Sequence, residues 1–269
     1  MTTSDKIKFY LLKTPLGKFI REMQSRFILS KMKLHNHAKA NQKTVYCISP
    51  YKTGTTYLSS CFSSNIAKHE PIHYTTYKSL DEDFDTYFTR RLNYLNLKLE
   101  CSGSWSAYVE ELVNHKIAKD LDYICVLRSP SSWVTSVINY WNKPNMLKFH
   151  FDIPLEHFWK QKVGVNLRDF EIGVHSKKNQ EIIDKLVKFY FDFTEKTALL
   201  ENITYIRLKD LKESLPLVES LIEENATTKD SWKRANLKKK FIYKNDLIDE
   251  KYKRLTKRLI NSRNPKMAS

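Results

Sequence analysis

Glycine is scarce in this chain, with five residues among 269. That scarcity leaves no room for a glycine-rich linker, and it gives weight to any glycine found at a turn. Cysteine is scarcer still. Cys47, Cys61, Cys101 and Cys125 form no CxxC pair, and no histidine stands at ligand spacing from them. A disulfide framework and a zinc site are therefore not expected, and no metal is assigned. Cys47 and Cys125 lie in apolar runs, where cysteine behaves as a small hydrophobe. All four are expected as free thiols in a reducing compartment. No apolar run approaches the ~20 residues that span a bilayer, and the N-terminus lacks a signal peptide's continuous apolar stretch. The expectation is a soluble protein, cytoplasmic if bacterial, with peripheral membrane contact left open. Acidic side chains are also in short supply: 30 against 46 Lys and Arg, a net charge of +16. Such a surplus favours an anionic partner (nucleic acid, membrane surface, phosphorylated cofactor or acidic glycan) without choosing among them.

What is present suits one α/β domain. Hydrophobic residues make up 41% of the chain and aromatics 13%, enough for a sizeable core and too much for a disordered chain. Residues 1–43 carry ten Lys or Arg against Asp5 and Glu22, so half of the surplus sits there. Apolar groups around Phe9, Phe19 and Phe27 recur at roughly helical spacing. A basic N-terminal helical extension is expected over 1–43. It either packs on the domain or touches anionic lipid or an acidic acceptor. The main domain then covers 44–269. Apolar runs at 44–49, 95–99, 123–127 and 203–206 read as strands, and 55–68, 133–141, 183–200 and 250–259 as helices. Nearly unbroken apolar strands alternating with helices indicate a parallel β-sheet flanked by helices on both faces.

One turn carries the chemistry. Pro50-Tyr51-Lys52-Thr53-Gly54-Thr55-Thr56 lies between the first strand and the first long helix. Unpaired N–H groups at a helix start and the helix dipole favour an anion there. Gly54 lets the backbone approach a phosphate, Lys52 adds a charge, and Thr55 and Thr56 add hydroxyls. A Walker A loop is excluded, because the lysine precedes the glycine and Ser49 stands where the motif's first glycine would be. A second element follows the strand at 123–127. Arg128 stands at a carboxyl strand end, where open α/β sheets bind ligands, and Ser136 lies eight residues on. An arginine fork with a hydroxyl can hold a phosphate dianion. Taken singly, each element is also explained as an ordinary capped turn or a helix-surface serine.

Together the two elements resemble those of the sulfotransferases that use 3′-phosphoadenosine-5′-phosphosulfate (PAPS). Pro-x-Lys-Thr-Gly-Thr-Thr after a first strand is similar to their 5′-phosphosulfate loop. Leu127-Arg128-Ser129-Pro130 followed by Ser136 is similar to their 3′-phosphate motif. The resemblance covers roughly residues 44–215 and leans toward the carbohydrate and heparan-type members. It implies a P-loop NTPase-like sulfotransferase fold and a sulfuryl transfer from PAPS to a hydroxyl or amine. The acceptor would be a glycan, a glycolipid or a small molecule. Lys52, Thr53, Gly54, Thr55 and Thr56 would hold the 5′-phosphosulfate, and Arg128 and Ser136 the 3′-phosphate. Tyr57 stands where cytosolic members stack a tryptophan on adenine. Their C-terminal RKGxxG motif is missing. The run from Trp232 to Lys244 instead holds six basic residues and no acid, either closing over the nucleotide or forming a solvated face. At 206–211, Leu208 and Lys209 replace the family's usual Tyr and Glu, so that tyrosine's role is not carried over.

The acceptor's proton needs a base. Glu70, in a Glu-Pro segment eighteen residues after Lys52, is the first candidate, because heparan-type members carry their catalytic glutamate in such a segment. Glu100 is the second, with a buried partnership to Lys or Arg as its plain alternative. His69 and His73 come third. Two other classes remain in view. A P-loop nucleotide kinase would need a Walker loop and a magnesium-holding aspartate. A nucleic-acid binder would need a recognisable module, and none is present, so no nucleic acid is expected.

Overall fold

The computed structural model describes residues 15–35, 43–142, 152–228 and 239–263. Helix α1 spans Pro15–Lys33. Strand β1 (Val45–Cys47) leads to α2 (Thr55–Ser60), β2 (Ala67–His69), α3 (His73–Glu82) and α4 (Phe84–Leu95). Then come β3 (Leu99–Cys101), α5 (Val109–Asn114), β4 (Tyr123–Leu127) and α6 (Pro130–Trp141). A π-helical segment, Pro154–Lys162, precedes α7 (Lys177–Lys196), β5 (Ile203–Arg207), α8 (Leu215–Ile222) and α9 (Asp246–Arg263). The five strands form one sheet in the order β2-β3-β1-β4-β5, and every pair is parallel.

Successive strand residues point to opposite faces, and here both faces are buried. Tyr46, Tyr123, Cys125, Leu127, Ile203 and Tyr205 enter a large core. Val45, Cys47, Ile124, Val126 and Ile206 enter a smaller one on the other face. The large core is aromatic, with Trp105, Trp133 and Trp159 fully buried. The smaller core is closed by Tyr57 and Leu58 of α2 and by Leu215, Val218 and Ile222 of α8. The four thiols are buried and unbridged. Helix α1 packs on α4 and α3, and no described helix is long and apolar enough to cross a membrane.

The order of strands makes one crevice. From β1 the chain passes through α2 to β2, beyond β3. From β4 it passes through α6 and α7 to β5, on the other side. Adjacent strands whose connections leave in opposite directions open a gap at their carboxyl ends, where open α/β sheets take ligands. The loop 50–54 and Arg128 both sit at that gap.

Two expected elements are corrected. The helix over 55–68 stops at Ser60, and Ala67–His69 is an edge strand. The strand over 95–99 begins at Leu99, because Leu95 is the last residue of α4. Glu100 therefore stands inside a strand.

Candidate functional site

The loop after β1 is shaped by its own side chains. Thr53 Oγ1 donates to the Pro50 carbonyl at 2.7 Å and is buried. Lys52 and Gly54 lie in the left-handed region, with φ of 71° and 102°. A Cβ at Gly54 would come within 2.7 Å of Leu208 Cδ1, so only glycine fits this turn against the segment after β5. The Lys52 ammonium stands 3.7 Å from the ring centroid of Tyr140 on α6. The Trp133 indole N–H donates to the Tyr51 carbonyl at 2.8 Å, tying the loop to α6.

Arg128 joins the two elements directly. Its Nη1 donates to the Lys52 carbonyl at 2.8 Å, and its Nε donates to Ser132 Oγ at 2.9 Å. The Tyr190 hydroxyl accepts from the Arg128 amide and donates to its carbonyl, both at 3.0 Å. Ser132, Ser136 and Tyr140 recur every four residues on α6, so they share a face. Among the described residues Ser136 Oγ makes no hydrogen bond. Arg128 thus reaches the nearer serine, one helical turn before Ser136.

Beside this gap the end of β2 brings up His69 and Glu70. His69 Nε2 lies 3.2 Å from Thr55 Oγ1 and 3.1 Å from Thr56 Oγ1. Burial, then the positive charge of Lys52 and the neighbouring His73, lowers its pKa to about 4, so the ring is neutral at neutral pH. Glu70 Oε1 accepts the Gly103 N–H at 2.7 Å, and its Oε2 is buried with no hydrogen bond. Burial raises the carboxyl pKa to about 8. The charge of Glu100 adds to the rise, and the Gly103 amide, Arg91 and Tyr51 oppose it.

Comparison of the chain with protein-family models, with curated proteins and with solved structures finds no match. The arrangement is therefore read from its own chemistry.

The two carboxylates on the β2–β3 side of the gap differ. Glu100 is 1% exposed. Its oxygens accept from Arg91 Nη2 at 2.7 Å and Nε at 3.2 Å, and Oε1 also accepts from Ser102 Oγ and Trp105 Nε1, each at 2.8 Å. Arg91 in turn donates to the Pro71 carbonyl and to Thr76 Oγ1, both at 2.8 Å. Glu100 is thus the buried partner of an arginine, and the pair clamps the segment that follows Glu70. That segment is strained, since Glu70 and Ile72 both have φ of 48°. Three of the five non-glycine residues with positive φ among the described residues lie in these two loops. Such strain persists only where the surroundings enforce it, and it clusters at functional sites.

Two expected positions fall differently. Tyr57 is 6% exposed within the smaller core, so its ring is not an open platform for a base. Of the basic run, Lys233, Arg234 and Lys238 lie outside the described residues. Lys239, Lys240 and Lys244 are exposed, on a segment docked along α6. Asn139 Oδ1 accepts from the Lys240 and Phe241 amides, and its Nδ2 donates to the Phe241 carbonyl. Thr135 Oγ1 bridges the Tyr243 amide and carbonyl, and Ser131 Oγ does the same at Asn245.

Sequence reasoning missed Tyr51, Tyr77, Ser132, Tyr140 and Tyr190. The hydroxyls of Tyr51 and Tyr77 hydrogen-bond each other, and the charge of Glu70 adds to burial in raising the pKa of both. Helical spacing from Ser136 would have found Ser132 and Tyr140.

Proposed function

We propose that this protein is a sulfotransferase that uses PAPS. The observation that carries the reading is the bond from Arg128 to the Lys52 carbonyl, which unites two cationic elements at the switch point of a parallel sheet, beside a buried carboxyl with a spare oxygen. The residues present suit such a donor. Gly54 stands where a side chain does not fit, Lys52 and Arg128 supply opposed cations, and Thr55 and Thr56 supply hydroxyls. The donor contributes the sulfuryl group and departs as adenosine 3′,5′-bisphosphate. Lys52, with Thr53 to Thr56, would hold the 5′ end, and Arg128 with Ser132 and Ser136 the 3′-phosphate. Preorganised cations placed where negative charge develops lower the barrier without reorganisation. Glu70 Oε2 would receive the acceptor's proton. A base poised near pH 8 in a water-poor site is matched to a hydroxyl or amine. The Glu-Pro segment inclines the acceptor toward a carbohydrate or glycolipid.

Calorimetry with adenosine 3′,5′-bisphosphate and adenosine 5′-phosphate tests the donor site. Ser136→Ala is expected to weaken the bisphosphate selectively, by about tenfold for one charged hydrogen bond. Equal affinity of the wild-type protein for both nucleotides would overturn the reading. Transfer of labelled sulfate from PAPS to a panel of glycans then identifies the acceptor.

A further inference from the structure

We propose that α1 docks this protein on an anionic lipid surface through an outward apolar stripe bordered by cations. The inference is independent of the donor-site reading. Phe19, Met23 and Phe27 recur every four residues along α1, with Ile20 beside them, and at 3.6 residues per turn they form one stripe. They are 59%, 49%, 60% and 41% exposed, in that order. The stripe is not the face that folds the helix. Ile28, Leu29 and Met32 point the other way and join the large core. The helix is therefore apolar on two sides, one against the protein and one outward. Single exposed apolar residues are ordinary on a soluble protein, whereas a contiguous set marks an interaction surface.

Charge frames this stripe. Arg26 lies on one flank and Lys31 on the other, and the Lys31 ammonium stands 4.4 Å from the ring centroid of Phe27. Lys33 adds a cation in the last turn. The one acid of the helix, Glu22, is engaged by Arg26 at 2.8 Å. A soluble acidic polymer would satisfy the cations and leave two phenylalanines and a methionine in water. A second copy would bring two basic helices face to face across a two-fold axis. An anionic bilayer satisfies both features, with apolar side chains entering the acyl boundary and cations meeting the headgroups.

The test is co-sedimentation of the full chain with vesicles of phosphatidylcholine, with and without phosphatidylserine, at low and physiological salt. Binding is expected to need phosphatidylserine and to weaken with salt. Phe19→Ser combined with Phe27→Ser should weaken it at least about tenfold, with an unchanged melting temperature because both side chains are exposed. Lys31→Glu and Lys33→Glu should each weaken it about fivefold or more. Three outcomes overturn the proposal. Retained binding in the serine variant, with displacement by dextran sulfate, assigns the face to an acidic polymer. A stable dimer that the serine variant abolishes, with no vesicle binding, assigns it to a second copy. A monomer that ignores vesicles with and without phosphatidylserine refutes lipid docking outright.

Discussion

Replacing Glu70 with glutamine tests the proposed base through stability, before any acceptor is known. Folding raises this carboxyl from its ordinary 4.5 to about 8, chiefly through burial. Between those values the folded chain keeps a proton that the unfolded chain has released. The stabilising contribution of the protonated group is complete below pH 4.5 and is lost as pH rises toward 8. At about 1.4 kcal/mol for each unit of pKa, the ceiling on that loss is roughly 5 kcal/mol. Glutamine does not ionise, so its contribution is flat with pH. Its carbonyl can keep the Gly103 N–H, while its amide nitrogen takes the place of Oε2 without a partner, which costs about 1–3 kcal/mol at every pH. The diagnostic is therefore the slope and not the offset. Urea unfolding of both proteins, from below pH 4.5 to above pH 8, should show the difference moving in favour of Glu70→Gln by several kcal/mol, then levelling. Two parallel stability curves would refute the burial argument and the role built on it. The same titration predicts a wild-type rate that rises with pH through about 8 as the basic form appears, and a variant that is slow throughout.

Three further outcomes are expected. Lys52→Ala should lower sulfate transfer by about 10²–10³ and leave the melting temperature nearly unchanged, as read by turnover and a thermal melt. Glu100→Gln should destabilise the fold by about 3–5 kcal/mol, because it leaves the Arg91 cation buried without its partner; denaturant unfolding measures this, and a stable variant would show that the pair is dispensable. Asn139→Ala removes three hydrogen bonds to the segment at 240–241 and should cost about 1–3 kcal/mol locally. Trypsin cleavage at Lys239, Lys240 or Lys244 should then accelerate, and an unchanged digest would mean that the Thr135 and Ser131 contacts suffice.

Much of this architecture is legible in the chain itself, for identifiable reasons. Strand β4 is Tyr-Ile-Cys-Val-Leu and buried on both faces, so its composition alone marks it. The loop 50–56 announces itself because a rare glycine follows a lysine directly after an apolar run. Strand β2 is hidden for the opposite reason. Ala67-Lys68-His69 lies at the sheet edge with two exposed residues, and it continues the apolar spacing of α2 closely enough to extend a helix on paper. Glu100 misleads in a similar way. A carboxylate inside a buried strand is tolerable only with a partner, and that partner, Arg91, comes from a different element. Tyr57 follows the loop 50–56 as a stacking residue should, yet the short α2 turns it into the core.

The two carboxylates Glu70, just after β2, and Glu100, inside β3, show how environment divides labour between like groups. Where neighbouring titratable groups are held in different surroundings, their roles separate. Both oxygens of Glu100 are engaged in the interior: an arginine fork spans them, and a serine hydroxyl and an indole N–H add to Oε1. Drawing Glu100 into chemistry would break a buried ion pair. Glu70 is buried as well, but one amide holds one oxygen and the other oxygen has no partner. An unsatisfied buried acceptor is costly, and the strained backbone on both sides of Pro71 adds to that cost. The Arg91–Glu100 pair holds the strained turn in place by bonding the Pro71 carbonyl. Glu100 thus contributes stability that keeps Glu70 in an environment where it is poorly satisfied. That division predicts a destabilised fold when Glu100 is neutralised, and a slow enzyme whose stability no longer falls with pH when Glu70 is.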